Sequence, residues 1–211
     1  MINNEKILVL APHTDDGEFG CGGSIARFID QGAEVYYATF SLCEESVPDG
    51  FSKDVLAKEL RRATKVLGIS ESNLLIFGYP VRRFAEHRQD ILEELVTLCS
   101  EISPTLVFMP SFNDLHQDHH IIAQEGIRAF KKTSIMAYEM PWNNITFSTQ
   151  LFIKLAERHI ETKIAALEEY VSQKEKPYAN ANFIRSLANT RGVSIDTVFA
   201  EAFEVVRWII K

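Results

Sequence analysis

Cysteine is scarce in this 211-residue chain: Cys21, Cys43 and Cys99 are the only three, an odd number with no Cys-x-x-Cys pair. That excludes a disulfide framework and a thiolate zinc site, and reduced, unpaired thiols are expected. Long apolar runs are missing as well. The longest, at 7–12 and 105–110, cover about a third of the ~20 residues needed to cross a bilayer, so no membrane partner is expected. Positive charge is in deficit, with 22 Lys plus Arg against 29 Asp plus Glu and a net charge of −7. Neutralising many phosphates needs clustered cations, which argues against a nucleic-acid partner. The first residues carry Glu5, Lys6, a short apolar run and then His13 and Asp15. They lack the longer apolar region and cleavage site of a secretion signal, so a cytoplasmic location is expected. No repeat, low-complexity segment or linker interrupts the chain. With 46% apolar and 24% charged residues, the composition is that of an ordinary globular protein, read as a single domain over 1–211.

What is present is a regular alternation. The run Lys6-Ile-Leu-Val-Leu-Ala11 has the continuous apolar character of a strand buried on both faces. Further strands are expected at 34–40, 73–77, 105–109 and 134–138. Helical spacing of apolar residues marks 21–31, 54–67, 84–102 and 119–130, with Gly32 and Gly68 closing the first two and Ser103-Pro104 the third. This predicts an α/β fold, a Rossmann-like open and mostly parallel sheet with helices on both faces. Beyond Pro141 the pattern changes: a strand at 145–148, a helix from 151 to about 171, another at 178–191, and an apolar run at 198–210 that suits either strand or helix.

In doubly wound sheets, ligands bind outside the carboxyl ends of the strands where the winding reverses, commonly beside the first strand. After the first strand comes Pro12-His13-Thr14-Asp15-Asp16-Gly17-Glu18, followed by Gly20-Cys21-Gly22-Gly23. After the fourth comes Asn113-Asp114-Leu115-His116-Gln117-Asp118-His119-His120. Four of the six histidines therefore fall in or beside one crevice. Imidazole nitrogens with a carboxylate suit zinc or another divalent transition metal, and a catalytic zinc has three protein ligands and one open position. His13 and Asp16, three apart in a tight turn, can converge on one metal, with His119 as third ligand. Asp15 is then left beside the metal as general base, and His116 across from it as an imidazolium that stabilises an oxyanion and protonates a departing amine. Asp118 can orient one of the imidazoles. A dinucleotide loop is the competing reading of the glycines, but Gly-x-Gly-x-x-Gly spacing is not met and the acidic pair would repel pyrophosphate.

These residues resemble the PIG-L/LmbE-like family of zinc-dependent N-deacetylases. Its His-Pro-Asp-Asp-Glu signature is matched by His13-Thr14-Asp15-Asp16, with Gly17-Glu18 in place of the usual Glu and apolar pair, its Gly-x-Gly-Gly turn by Gly20 to Gly23, and its His-Pro-Asp-His by His116-Gln117-Asp118-His119. Glu59, Ala63, Leu67 and Gly68 match a helical feature of the family, and Arg191-Gly192 with Ala200-Glu201-Ala202-Phe203 a C-terminal one. The resemblance implies an LmbE-like fold over nearly the whole chain and one Zn2+ per chain on His13, Asp16 and His119. It implies Asp15 as base, His116 at the oxyanion, and homo-oligomers such as trimers or hexamers. Glu18 stands where the bacillithiol-type branch has it, while Val55 and Leu56 replace a substrate-holding Arg of that branch. Pro80-Val81-Arg82-Arg83 replaces the usual Pro-Asp, so Arg82 and Arg83 are candidates to contact an anionic group, or else solvated residues at a helix start. Tyr138 and Trp142 are candidates for an aromatic wall against a sugar ring, with core packing the other reading of Tyr138. The expected activity is hydrolysis of the N-acetyl group of an N-acetylglucosamine-type amino sugar or conjugate. An amidase acting on a different N-acyl or thiol-sugar conjugate, and a non-catalytic metal-stabilised binding module, are the alternatives.

Overall fold

The computed structural model describes residues 5–210. Because the run from Ile7 to Ala11 carries no polar side chain, both its faces need cover, and it becomes β1 (Lys6–Ala11) inside a seven-stranded sheet. Ile7, Val9 and Ala11 face one apolar layer; Leu8 and Leu10 face the other. β2 (Glu34–Thr39) and β4 (Leu106–Pro110) flank β1, both parallel to it. β3 (Leu74–Ile76) and β5 (Ser134–Tyr138) extend the parallel part outward. β7 (Phe199–Arg207) and then β6 (Leu151–Leu155) continue it antiparallel, giving the order β3-β2-β1-β4-β5-β7-β6. The mostly parallel Rossmann-like architecture is therefore present, and the winding reverses between β1 and β4.

The first layer is built by α1 (Asp16–Asp30), α2 (Val55–Leu67) and α5 (Glu157–Glu168), with α6 (Ala181–Val193) packed on β7 and α5. The second is built by α3 (Arg88–Ile102) and α4 (Gln117–Ala129). α2 shows why such segments are helices: Leu56, Leu60, Ala63 and Leu67 recur at helical spacing and all are buried. Gly68, at φ +90°, ends the helix in a left-handed turn that a side chain would strain. Burying Leu60 alone stabilises the fold by about 2 kcal/mol, and Leu60→Ala would cost about 2–5 kcal/mol.

Three expectations need correction. α1 begins at Asp16, not Cys21, and Cys21 is a kink within it at φ −148°. The polar and glycine-rich stretch reads as loop, but partners from β7 and α5 hold it helical. Glu201 accepts hydrogen bonds from the N–H of Gly23 and of Ser24, and Lys163 donates to the Phe19 carbonyl. Residues 145–148 form no strand; the strand is β6 at 151–155, where a helix start was expected. Leu151-Phe-Ile-Lys-Leu155 suits either period, and pairing with β7 decides it. The apolar run at 198–210 resolves as a strand. The three cysteines are free, as expected. Among the described residues no helix is long and apolar enough to cross a membrane.

Candidate metal and catalytic site

The turn leaving β1 and the loop leaving β4 meet at the carboxyl edge of the sheet, as their neighbouring strands require. His13 comes from the turn, Asp16 from the first residue of α1, and His119 from the first turn of α4. The three are buried, and their polar atoms converge. Asp16 Oδ2 lies 3.1 Å from His13 Nδ1 and 3.1 Å from His119 Nε2, and those two nitrogens are 3.2 Å apart. Tetrahedral ligands on zinc at about 2.0–2.1 Å would stand roughly 3.3–3.4 Å from one another, so this donor set fits such an ion. A ring nitrogen of His116 also comes within 4.8 Å of those of His13 and His119. Asp16 Oδ2, at 3.1 Å from each, closes a triangle with them.

The outer nitrogens of the two imidazoles are engaged. His13 Nε2 is 3.0 Å from Asp118 Oδ2, and His119 Nδ1 is 2.7 Å from Asp114 Oδ2. A carboxylate there can take the outer N–H, and His13 Nδ1 and His119 Nε2 are the nitrogens that face the common point. Asp118 was expected to orient an imidazole and stands against His13. Asp114, five residues ahead of His119 in the same loop, was not singled out. Asp118 is itself tied to the chain, accepting the N–H of Arg82 at 2.5 Å and of Phe84 at 3.3 Å. Arg82 adopts φ +67° to present that N–H. Left-handed backbone at a non-glycine residue costs about 1–2 kcal/mol, which the buried carboxylate contact offsets.

Electrostatics follow from this crowding. Burial alone would raise Asp16, yet His119 and His13 outweigh it and hold Asp16 well below the usual carboxylate range. Burial would lower His119, but Asp16 and Asp114 push it up to about 10. A pair of acids gripping two imidazoles this strongly is a site with a standing demand for positive charge. His116 goes the other way, lowered to about 4 by burial and by the neighbouring His13 and His119. Its Nδ1 accepts the Asp118 N–H at 3.2 Å, capping α4, so the proton of the neutral ring sits on Nε2. The low value favours the neutral ring over the imidazolium.

His13, Asp16, His116 and His119 line a cleft of about 410 Å³. Asp15 stands in it, and burial raises its carboxyl above the usual value, with Lys176 opposing. Trp142 lines the cleft, its ring stacked on Tyr178 at 3.8 Å between centroids. The other expected contacts lie elsewhere. Tyr138 is fully buried beneath α1 and donates its hydroxyl to the Leu10 carbonyl at 2.9 Å, so it belongs to the core. Arg83 is exposed and ion-paired with Glu86, and the Arg82 guanidinium reaches only the Ser46 hydroxyl, at 3.5 Å. The cation lining the cleft is Lys176, from the segment between α5 and α6. No local motif marks Lys176 or Tyr178; they reach the site only because α5 packs across α1 and α2.

The family described as PIG-L: GlcNAc-PI de-N-acetylase matches residues 8–130, more than half of the chain. Over 173 residues the chain is 29% identical to the uncharacterized deacetylase YaiS of Escherichia coli K12, covering 79% of this chain and 90% of that one. It is 25% identical over 186 residues to the probable N-acetyl-alpha-D-glucosaminyl L-malate deacetylase 2 of Bacillus anthracis, covering 82% of this chain and 79% of the relative. The crystal structure of the conserved protein TT1542 from Thermus thermophilus shares the fold. Its TM-score is 0.82 at 24% identity, over 97% of this chain and 96% of that one.

Proposed function

Since the chain belongs to the PIG-L, GlcNAc-PI de-N-acetylase family and is a hydrolytic N-deacetylase of N-acetylglucosamine-type sugar conjugates, we propose that it works as a mononuclear zinc enzyme with Asp15 as its base. His13, Asp16 and His119 would hold the ion, with Asp118 and Asp114 fixing the two imidazoles. The observation that carries this reading is the triangle of donor atoms 3.1–3.2 Å apart beside a carboxylate with no ligand duty. When bound, the metal supplies a Lewis acid and a water of lowered pKa.

The remaining chemistry belongs to side chains of this chain. Asp15 accepts the proton of the attacking water and then carries it to the departing amine. The Nε2–H of neutral His116 donates a hydrogen bond to the oxygen that gains charge as the amide carbonyl becomes tetrahedral. Acetate and a free amine are the products. Trp142 and Tyr178 give the cleft an apolar flank for a sugar ring. Lys176 places one positive charge in the same cleft, which favours conjugates carrying an anionic group, the chemistry named for the L-malate relative. Acetate release from a panel of N-acetyl amino sugars, with and without a carboxylate on the aglycone, tests the substrate. Metal analysis and chelation test the ion: loss of activity on chelation and recovery with Zn2+ is expected. Full activity in protein stripped of divalent metal would defeat the mechanism.

A further inference from the structure

Behind the turn that carries the candidate ligands lies a buried polar cluster in which no group faces the cleft chemistry. Glu18 is fully buried and shares its two carboxyl oxygens between the hydroxyls of Tyr37 and Tyr170. Both hydroxyls also meet the Thr14 carbonyl, Tyr170 at 2.6 Å and Tyr37 at 3.2 Å, and Tyr37 accepts the Gly17 N–H at 3.1 Å. Thr14 sits between His13 and Asp15, so two tyrosines from distant elements, β2 and the exit of α5, close on one carbonyl within the turn. The approach is tight: a Cβ on residue 17 would fall 2.5 Å from the Tyr37 ring, which accounts for Gly17. Tyr170 is held in turn. Glu59 of α2, buried and away from the cleft, accepts the Ser172 N–H at 2.9 Å and its hydroxyl at 2.6 Å, pinning the segment just beyond Tyr170.

We propose that Tyr37 and Tyr170 are positioning residues for the deacetylation site, clamping the Thr14 carbonyl so that His13, Asp15 and Asp16 project together, with Glu18 and Glu59 as the anchors of the clamp. The inference rests on the metal-dependent reading above and assigns Glu18 and Glu59 a place outside the reaction itself. A hydroxyl that only fills a polar hole would contribute to stability. One that sets the turn also governs ligand convergence and the placement of the base.

The test compares Tyr37→Phe, Tyr170→Phe and the double variant with Tyr36→Phe, whose hydroxyl points away to Glu34. Each metal-loaded protein is assayed well below its melting temperature. In the double variant kcat is expected to fall at least about tenfold with KM changed less than about threefold. Its Co2+ affinity, read by chelator competition without any substrate, is expected to weaken about tenfold or more. Tyr36→Phe should match the parent in all three. A double variant that melts earlier but keeps parental kcat and Co2+ affinity would make the cluster merely structural and overturn the proposal. If the parent releases acetate from no N-acetyl compound while Co2+ affinity still falls in the double variant, the deacetylase reading fails and the clamp stands.

Discussion

Two groups of buried charge lie at opposite ends of the first turns of α1, and they behave differently. At the kink, Lys163 and Glu201 form an ion pair at 2.7 Å, and Glu201 also accepts from Gly23, Ser24 and the Ser24 hydroxyl while Lys163 donates to Phe19. Every strong donor and acceptor there has a partner, and the cluster replaces helix hydrogen bonds that the kink at Cys21 interrupts. At the switch point, Asp16 and Asp114 crowd two imidazoles whose inner nitrogens point at one another across 3.2 Å. That arrangement aims two ring nitrogens and a carboxylate oxygen at one point. Burial of charge alone therefore does not mark a site; the mark is a set of possible ligand atoms that converge on one point.

The contrast is broken most strongly by Asp15→Asn. It should lower kcat by about 10²–10⁴-fold while metal content and melting temperature stay near parental, measured by acetate release and metal analysis. Lys163→Met attacks the other cluster. It leaves a buried carboxylate without its cation and should cost about 3–5 kcal/mol in denaturant unfolding, with the folded fraction still binding metal. Asp114→Asn removes the carboxylate that orients His119 and should weaken metal affinity about 10–100-fold in a chelator competition. The smallest effect belongs to the surface. Asp30 is held below its ordinary carboxylate value chiefly by its hydrogen bond from Arg158. Because the folded value is the lower one, the stabilisation is present above the unfolded carboxylate value and is lost as pH falls through the folded value. Arg158→Ala should thus remove no more than about 1 kcal/mol near neutrality and nothing in strong acid, read from melts across that range.

Much of the candidate site was legible because its residues follow two strands whose adjacency is dictated by how parallel sheets wind. His13, Asp16 and His119 need only that β1 and β4 be neighbours. Asp118 was legible for the same reason, and Asp114 could have been found as the other carboxylate within reach of a ligand imidazole. Tyr138 was left between cleft and core, although its spacing held the signal: it shares a strand face with Met136, which packs in the core. Lys176 and Tyr178 were illegible, since their approach depends on the packing angle of α5 and not on any local pattern. β6 and the first turns of α1 failed for a related reason. Five apolar residues suit two periods, and a glycine-rich turn reads as loop until side chains from β7 and α5 support it.

The position of β7 carries a consequence for how the protein comes to be made. It is the last strand in sequence order, yet it lies inside the sheet, between β5 and β6. Until those residues leave the ribosome, β5 presents an open edge and β6 has no strand to pair with, both of which invite association with other chains. The same strand brings Glu201 to the kink of α1. The helix that begins at Asp16 thus receives its final shape from a residue synthesised 177 positions after the one it binds, and the turn before that helix waits on β7.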